Sequence, residues 1–251
     1  IMKPQKTTTF DDVDVTDLKR KSVSGGIVTL ASQGITVAVH LVSTVILARI
    51  LTPEDYGTIA MVTAITAFAA LFRDLGLSSA AIQKKGLTTA QQSNLFWLNV
   101  LMGGFMTAVI AACAPLVARF YGKPELVNVT LVLSLNFIIT SLGTQHGAML
   151  VRRMQFVRSS GARISGALTT LGVSLVCGLK GYAYWSLVWG TIAGATVTTL
   201  LLFVLSPLRP GLPNRGSGVR ELVGFGADVT AFNFVNYFSR NLDNILIGKF
   251  V

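Results

Sequence analysis

Apolar residues follow one another in blocks of roughly 20, the length that crosses a bilayer's hydrocarbon core, and short polar stretches separate the blocks. The blocks cover residues 23–48, 57–72, 93–118, 126–146, 161–179, 183–205 and 222–250. A segment that crosses this core must satisfy its backbone hydrogen bonds internally, and the blocks are too long and too continuously apolar for barrel strands. The pattern therefore predicts an all-α, polytopic membrane helix bundle with seven transmembrane helices in this chain.

Composition agrees with this prediction. Hydrophobic residues make up 51% of the chain and charged residues 13%, with a mean hydropathy of +0.62. Soluble domains carry about 25% charged residues. This chain therefore has too little polar surface to cover a soluble core of the size that its length would build.

Basic residues are concentrated in alternate loops. One set of loops carries Lys3, Lys6, Lys19, Arg20, Lys21, Arg73, Lys84, Lys85, Arg152, Arg153, Arg158, Arg163, Arg209, Arg215 and Arg220. The opposite set carries Arg49, Arg119, Lys123 and Lys180. Because Lys and Arg are retained on the cytoplasmic side, the N-terminus is predicted to be cytoplasmic. The net charge of +10 is spread over these loops and forms no patch, so we expect no nucleic-acid partner.

The chain divides into four predicted regions. They are a polar, solvated cytoplasmic tail (1–22), an N-terminal six-helix bundle (23–205), a cytoplasmic linker (206–221) and the first helix of a second bundle (222–251). Residues 26–51 and 226–251 align without a gap and run in the same direction, as in a parallel repeat. Since the chain starts at Ile1 and stops within an apolar block, we expect it to be the N-terminal part of a longer protein.

Enzyme motifs are absent from the sequence. It contains no Walker-type phosphate loop, no nucleophile elbow and no zinc-ligand spacing. Cys113 and Cys177 stand singly in apolar blocks and are predicted to be packing residues. With His40 and His146 as the only histidines, a catalytic constellation is hard to assemble. We predict a protein that is not an enzyme and holds neither a metal nor a cofactor.

Polar residues at membrane depth are the candidate site. In the seventh block they recur every three or four residues and share one helix face: Asn233, Asn236, Arg240, Asp243 and Asn244. Ionisable groups there cost at least about 2.5 kcal/mol unless they face a cavity or a partner. We interpret the stripe as the wall of a water-filled translocation cavity. The alternative is an Arg240–Asp243 ion pair that joins two helices.

Two further pairs of residues extend this candidate site. Gln33 and His40 occupy similar positions in the first block and are assigned to the same cavity; His40 is either a proton sensor or a hydrogen-bonded packing residue. Arg73 and Asp74 close the second block at a cytoplasmic entrance, either as an interfacial anchor or as a first contact for an anionic head group. The same alternatives apply to the basic loop that carries Arg152, Arg153, Arg158 and Arg163.

Small and aromatic residues in the blocks have structural interpretations. Close helix packing is predicted at Gly103, Gly104, Gly166, Gly172, Gly190 and Gly194. An aromatic belt at the outer membrane interface is predicted at Tyr182, Tyr184, Trp185 and Trp189.

Five stretches, in order, resemble signatures of the polysaccharide transport family. They are residues 48–57 (ARILTPEDYG), 72–77 (FRDLGL), 150–156 (LVRRMQF), 181–188 (GYAYWSLV) and 241–248 (NLDNILIG). This family comprises the O-antigen and exopolysaccharide repeat-unit flippases of the multidrug/oligosaccharidyl-lipid/polysaccharide exporter superfamily. The resemblance covers about residues 22–251.

The resemblance implies fourteen helices in two bundles around a central cavity, of which this chain would supply the first bundle and one further helix. It implies translocation of undecaprenyl-diphosphate-linked oligosaccharides between the leaflets of the bacterial inner membrane. Opening would alternate between the cytoplasmic and periplasmic sides, coupled to H⁺ or Na⁺, and polysaccharide polymerase or export machinery would be a partner. Arg240 would attract the diphosphate, and Asp243 would tune this attraction or carry the coupling ion. The chain alone, lacking half the cavity, is predicted to be inactive.

Two alternative functions remain open at this point. A multidrug or cation antiporter of the same superfamily should line its cavity mainly with acidic residues, whereas the polar stripe here mixes both signs. A non-transporting scaffold of a polysaccharide assembly complex should tolerate apolar residues at Arg240 and Asp243.

Overall fold

The protein is described by a computed structural model over residues 15–70, 76–84, 86–213 and 224. Within these residues the chain forms seven α-helices and no β-strand. They are α1 (Val15–Leu47), α2 (Pro53–Ala70), α3 (Leu77–Gln83), α4 (Thr89–Tyr121), α5 (Leu126–Arg152), α6 (Phe156–Leu179) and α7 (Trp185–Leu205). The predicted all-α helix bundle is confirmed.

Five of the described helices are long and apolar enough to cross a membrane: α1 from Ser24 onward, α4, α5, α6 and α7. They correspond to five of the seven predicted blocks. The second block is helical as far as α2 extends, but α2 does not belong to these five. The seventh block lies outside the described residues except for Gly224.

The helices differ most from the predictions at two places. α1 begins at Val15, inside the predicted polar tail, because no proline or glycine interrupts residues 15–24. α3 was not predicted, since seven residues are too few for a periodic pattern. It packs at one end of α5 through Leu77 and Ala81, in a buried cluster with Met149.

The start of α2 explains one of the five family-like stretches. Thr52 precedes the helix, and Pro53 is its first residue. The Asp55 carboxylate accepts hydrogen bonds from the Thr52 backbone N–H and hydroxyl, each at 2.9 Å, while the Asp55 N–H donates to the Thr52 hydroxyl at 3.3 Å. This reciprocal arrangement is a helix N-terminal capping box.

Contacts between helix ends define two ends of the bundle. At one end, Lys123 Nζ lies 3.1 Å from Glu54 Oε1 and joins the α4–α5 turn to the start of α2. At the other, Arg152 Nη1 donates to the Ala81 carbonyl at 2.7 Å and joins the end of α5 to α3. We call the second end the basic end; its described basic residues are Lys84, Arg152, Arg153, Arg158, Arg163 and Arg209. Its assignment to the cytoplasm stays a prediction.

Glycines bring antiparallel helices into close contact. A Cβ atom at Gly194 would overlap the Thr170 hydroxyl, and one at Gly190 would overlap the Ser174 hydroxyl. Equivalent overlaps occur at Gly166 with Thr198 and at Gly103 with Ser141. The packing prediction is confirmed at these four positions. Among the described residues nothing lies within 4 Å of a Cβ at Gly172, so close packing is not seen there, and Gly104 makes an ordinary contact, at 3.8 Å.

The surface of the described bundle is apolar, as expected of a protein that contacts lipid. Phe120 is 82% exposed and Leu30 is 70% exposed. The predicted belt residues Trp185 and Trp189 stack with ring centroids 6.0 Å apart. Their placement at the outer interface stays a prediction. A soluble protein would bury most such side chains, so the exposure supports a membrane location.

Candidate functional site

A cavity of about 430 Å³ lies between α3, α5, α6 and α7. Its described lining residues are Ser78 and Ile82 on α3, Thr140, Gly143, Thr144, Gly147, Ala148 and Val151 on α5, Arg163 on α6, and Ala195, Thr198, Thr199 and Leu202 on α7. On α5 and α7 these residues recur every three or four positions, so each helix presents one face to the cavity. The cavity extends from the basic end towards the middle of the bundle.

The threonines of the cavity direct their hydroxyl hydrogens towards backbone carbonyls. The Thr144 hydroxyl donates to the Thr140 carbonyl at 2.9 Å, and the Thr198 hydroxyl donates to the Gly194 carbonyl at 2.8 Å. The Thr199 hydroxyl donates across the helix interface to the Ile139 carbonyl of α5, at 3.0 Å. A hydroxyl whose hydrogen is engaged keeps its lone pairs for a ligand. Towards a ligand these hydroxyls can accept hydrogen bonds but have no hydrogen left to donate; the Thr198 oxygen lies against Gly166 and the Thr199 oxygen against Gly143.

Arg163 supplies the positive charge of the cavity. It lies seven residues inside α6, about 10 Å along the helix from its start, and its side chain is exposed. The described residues that line the cavity include no acidic side chain. A guanidinium presents five N–H donors and remains charged, so the lining combines one strong donor group with several acceptors.

Two other arginines of the basic loop, Arg152 and Arg158, make structural contacts. Arg152 donates to the carbonyls of Ala81 and Ile82, at 2.7 and 3.2 Å, and so caps α3. Arg158 donates to the Gln155 side chain at 3.3 Å. The sequence left anchoring and ligand contact open for the whole loop, and the structure separates these roles: Arg163 alone among them lines the cavity. Its spacing from Gly166 could have indicated this, because residues three apart share a helix face.

The predicted site residues Gln33 and His40 lie on α1, two turns apart and exposed. α1 packs on α6 through other residues: the Ser160 hydroxyl donates to the Ser32 hydroxyl at 2.9 Å, and Gly25 lies against the Phe156 ring. Gln33 and His40 therefore share an exposed face and do not line the cavity. The other predicted site residues lie outside the described part of the chain: Arg73, Asp74, Asn233, Asn236, Arg240 and Asp243.

A buried polar pair joins α4 to α5. The Asn99 amide donates to the Gln145 side-chain oxygen at 3.3 Å, and both residues are buried. Next to it, His146 is fully buried, with ring centroids 5.7 Å from Phe96 and 4.8 Å from Phe203. The sequence patterns did not single out this pair. Neither Asn99 nor Gln145 is among the described residues that line the cavity.

The architecture defines a multi-pass α-helical membrane protein. Residues 46–251, most of the chain, match the family described as "Polysaccharide biosynthesis protein", and the chain belongs to this family. The family membership expected from the five stretches is thereby confirmed.

Several curated relatives are similar to this chain. The lipopolysaccharide biosynthesis protein WzxC of Escherichia coli (strain K12) is 26% identical over 238 residues, which cover 92% of this chain and 48% of WzxC. The teichuronic acid biosynthesis protein TuaB of Bacillus subtilis (strain 168) is 27% identical, covering 74% of this chain and 39% of TuaB. The succinoglycan biosynthesis transport protein ExoT of Rhizobium meliloti (strain 1021) is 25% identical, covering 86% and 44%. The chain thus spans about half the length of these relatives. No solved structure matches it significantly.

Proposed function

We propose that this chain forms one bundle of a two-bundle transporter that moves undecaprenyl-diphosphate-linked oligosaccharides from the cytoplasmic to the periplasmic leaflet of the bacterial inner membrane. The observation that carries the proposal is the family match over residues 46–251, on a chain with five described helices able to span a membrane. The name of ExoT, a succinoglycan biosynthesis transport protein, supports transport rather than catalysis. The names of WzxC and TuaB support a polysaccharide product.

The chemistry of the substrate requires such a protein. A diphosphate and its sugars cannot enter hydrocarbon without losing their hydration, which costs many kcal/mol for an unpaired charge. A transporter must therefore offer a polar, cationic path while the polyprenyl tail stays in lipid. The described bundle contains polar surface of this kind in the cavity that Arg163 and the threonines line.

The proposed path includes the residues that the sequence singled out. Arg240 attracts the diphosphate, Asp243 tunes that attraction or carries a coupling H⁺ or Na⁺, and Asn233 and Asn236 continue the same wall. His40 and Gln33 extend it on the exposed face of α1, where a second bundle would pack. Arg73 and Asp74 lie at the cytoplasmic entrance. Access to this path alternates between the two sides, and polysaccharide polymerase or export machinery receives the product.

The test uses a host from which the gene for this chain is deleted. Lipid-linked oligosaccharides are extracted and quantified by mass spectrometry, with and without the restored gene. Accumulation of an undecaprenyl-diphosphate glycan that the gene relieves is the expected result. Unchanged lipid intermediates would overturn the proposal; a change in drug sensitivity would then identify an antiporter.

Arg240→Ala tests the assignment of the path in the same host. It should abolish the relief of accumulation while leaving membrane insertion intact, whereas Arg158→Ala should preserve relief. Export at the wild-type level by Arg240→Ala would remove Arg240 from the path, and equal export with apolar residues at both Arg240 and Asp243 would indicate a scaffold.

A further inference from the structure

We propose that the cavity between α3, α5, α6 and α7 binds a phosphorylated sugar, with the phosphate on Arg163 and a sugar hydroxyl on the oxygen of Thr144. The binding site itself rests on the geometry of the described bundle. Its assignment to the head group of a transported lipid rests on the proposed function.

The size of the cavity suits such a ligand. Pockets for small molecules measure about 300–1,000 Å³, and this cavity measures about 430 Å³. Glycines line it on α5. A Cβ atom at Gly143 would lie 3.1 Å from the Thr199 hydroxyl oxygen, and one at Gly147 would lie 3.6 Å from a Leu202 methyl group. Gly143 and Gly147 therefore let α5 pack closely on α7 where the two helices form the cavity wall.

The hydrogen-bonding pattern of the lining favours a ligand that donates hydrogen bonds. The Thr144 hydroxyl has already given its hydrogen to a backbone carbonyl, so its oxygen can only accept a hydrogen bond. A sugar hydroxyl supplies the missing donor. An apolar drug would leave this oxygen without a partner after it loses its water, which is unfavourable.

The charge of the lining selects for an anion. Arg163 faces the cavity without an acidic neighbour among the described lining residues. A metal ion or a cationic drug would be repelled, whereas a phosphate oxygen forms short, charge-assisted hydrogen bonds with a guanidinium. On α7, Ala195 and Leu202 flank the threonines and give the wall apolar patches. Such patches suit the C–H faces of a pyranose ring.

Cysteine protection tests the site independently of export. Val151 lines the cavity and is replaced by Cys in a full-length chain that also carries Cys113→Ala and Cys177→Ala. The purified protein in detergent micelles reacts with a maleimide in the presence of glucose 1-phosphate, glucose, inorganic phosphate or a synthetic farnesyl-diphosphate-linked N-acetylglucosamine. A probe at about twice its Kd leaves about one third of the sites free and should slow labelling about threefold. A Cys at the exposed Leu116 serves as the unprotected reference.

Matched variants locate the contacts. Arg163→Gln should raise the Kd of glucose 1-phosphate, measured by protection, about tenfold or more. Arg163→Lys should retain part of the wild-type affinity, and Arg158→Gln should retain all of it. Thr144→Val should weaken the binding of glucose 1-phosphate but not the binding of inorganic phosphate. Thr196→Val is its control, since the Thr196 hydroxyl makes a similar helix bond, at 2.8 Å to the Ile192 carbonyl, away from the cavity.

The outcomes separate this inference from the proposed function. Absence of protection by every phosphorylated probe, or protection unchanged in Arg163→Gln, overturns the site even if lipid intermediates accumulate in the deletion host. If phosphorylated probes protect the cysteine but no lipid intermediates accumulate in the deletion host, the site is supported and its ligands are free sugar phosphates. Stronger protection by the farnesyl-linked probe than by glucose 1-phosphate assigns it to a lipid-linked head group.

Discussion

Replacing Gly194 by alanine is expected to force α6 and α7 apart. The added Cβ would overlap the Thr170 hydroxyl and lie 2.7 Å from the Gly166 carbonyl oxygen. Close C···O contacts between helices measure about 3.3–3.6 Å, so the two backbones must separate by about 0.6 Å or more. The hydroxyl can rotate away, but a carbonyl oxygen moves only with its helix.

The magnitude follows from two opposing effects. Overpacking costs about 1–3 kcal/mol, whereas alanine gains up to about 1 kcal/mol over glycine in helix propensity. With the full gain in propensity, the net loss in the free energy of unfolding should be about 0–2 kcal/mol. Gly172→Ala, on α6, is the control: within the described part of the chain, nothing lies within 4 Å of a Cβ there. It should leave stability unchanged or raise it by up to about 1 kcal/mol.

The assay is reversible denaturant unfolding of the purified protein in detergent, followed by tryptophan fluorescence, since Trp185 and Trp189 lie on α7. Thr170→Ala in the Gly194→Ala background should recover part of the loss, because it removes the hydroxyl overlap and leaves the carbonyl contact. If Gly194→Ala and Gly172→Ala shift the unfolding free energy in the same direction and by the same amount, the close-packing argument is refuted.

Three further predictions can be tested by the same unfolding assay. Asp55→Ala removes the capping box of α2 and should cost about 1 kcal/mol, whereas Glu54→Ala removes a surface ion pair and should cost less, about 0–1 kcal/mol; equal losses would contradict the capping role. Asn99→Leu should cost about 1–3 kcal/mol because it leaves buried Gln145 without a partner, and Asn99→Leu with Gln145→Leu should cost less than the single change; additive losses would contradict this. Met154→Gly should stabilise the protein by about 0.5–1 kcal/mol, since Met154 has a φ of 55°; a loss would show that packing of the Met154 side chain outweighs its backbone strain.

The spans could be predicted because their signal is local. The apolar blocks that became α4–α7 are as long as a bilayer is thick, and no tertiary information is needed to recognise that length. The start of α2 is equally local, since Thr52 and Asp55 form the cap among themselves. α3 carries too few residues for such a pattern, and only its packing at the basic end identifies it.

The direction in which residues face could not be predicted with the same success. Where both lipid and protein are apolar, a helix is hydrophobic on all sides and its pattern does not mark the packed face. Gly172 was therefore grouped with Gly166, although only Gly166 touches α7. The assignment of Gln33 and His40 to a translocation cavity shared with the seventh block stays a prediction; the structure places both on an exposed face of α1. Arg163 stood in a loop of similar arginines until tertiary contacts distinguished it.

The threonine back-bonds have a consequence for biogenesis. Hydroxyls on exposed positions, such as Thr63 and Thr191, also donate to the carbonyl four residues earlier, at 3.0 and 2.8 Å. These bonds form with the helix itself, so each hydroxyl can leave the translocon with its hydrogen already satisfied, which lowers the cost of partitioning into lipid. Thr144, which later lines the cavity, makes the same bond and can enter the bilayer as readily as Thr63. A nascent chain can thus insert a polar interior helix by helix, before the bundle that encloses it exists.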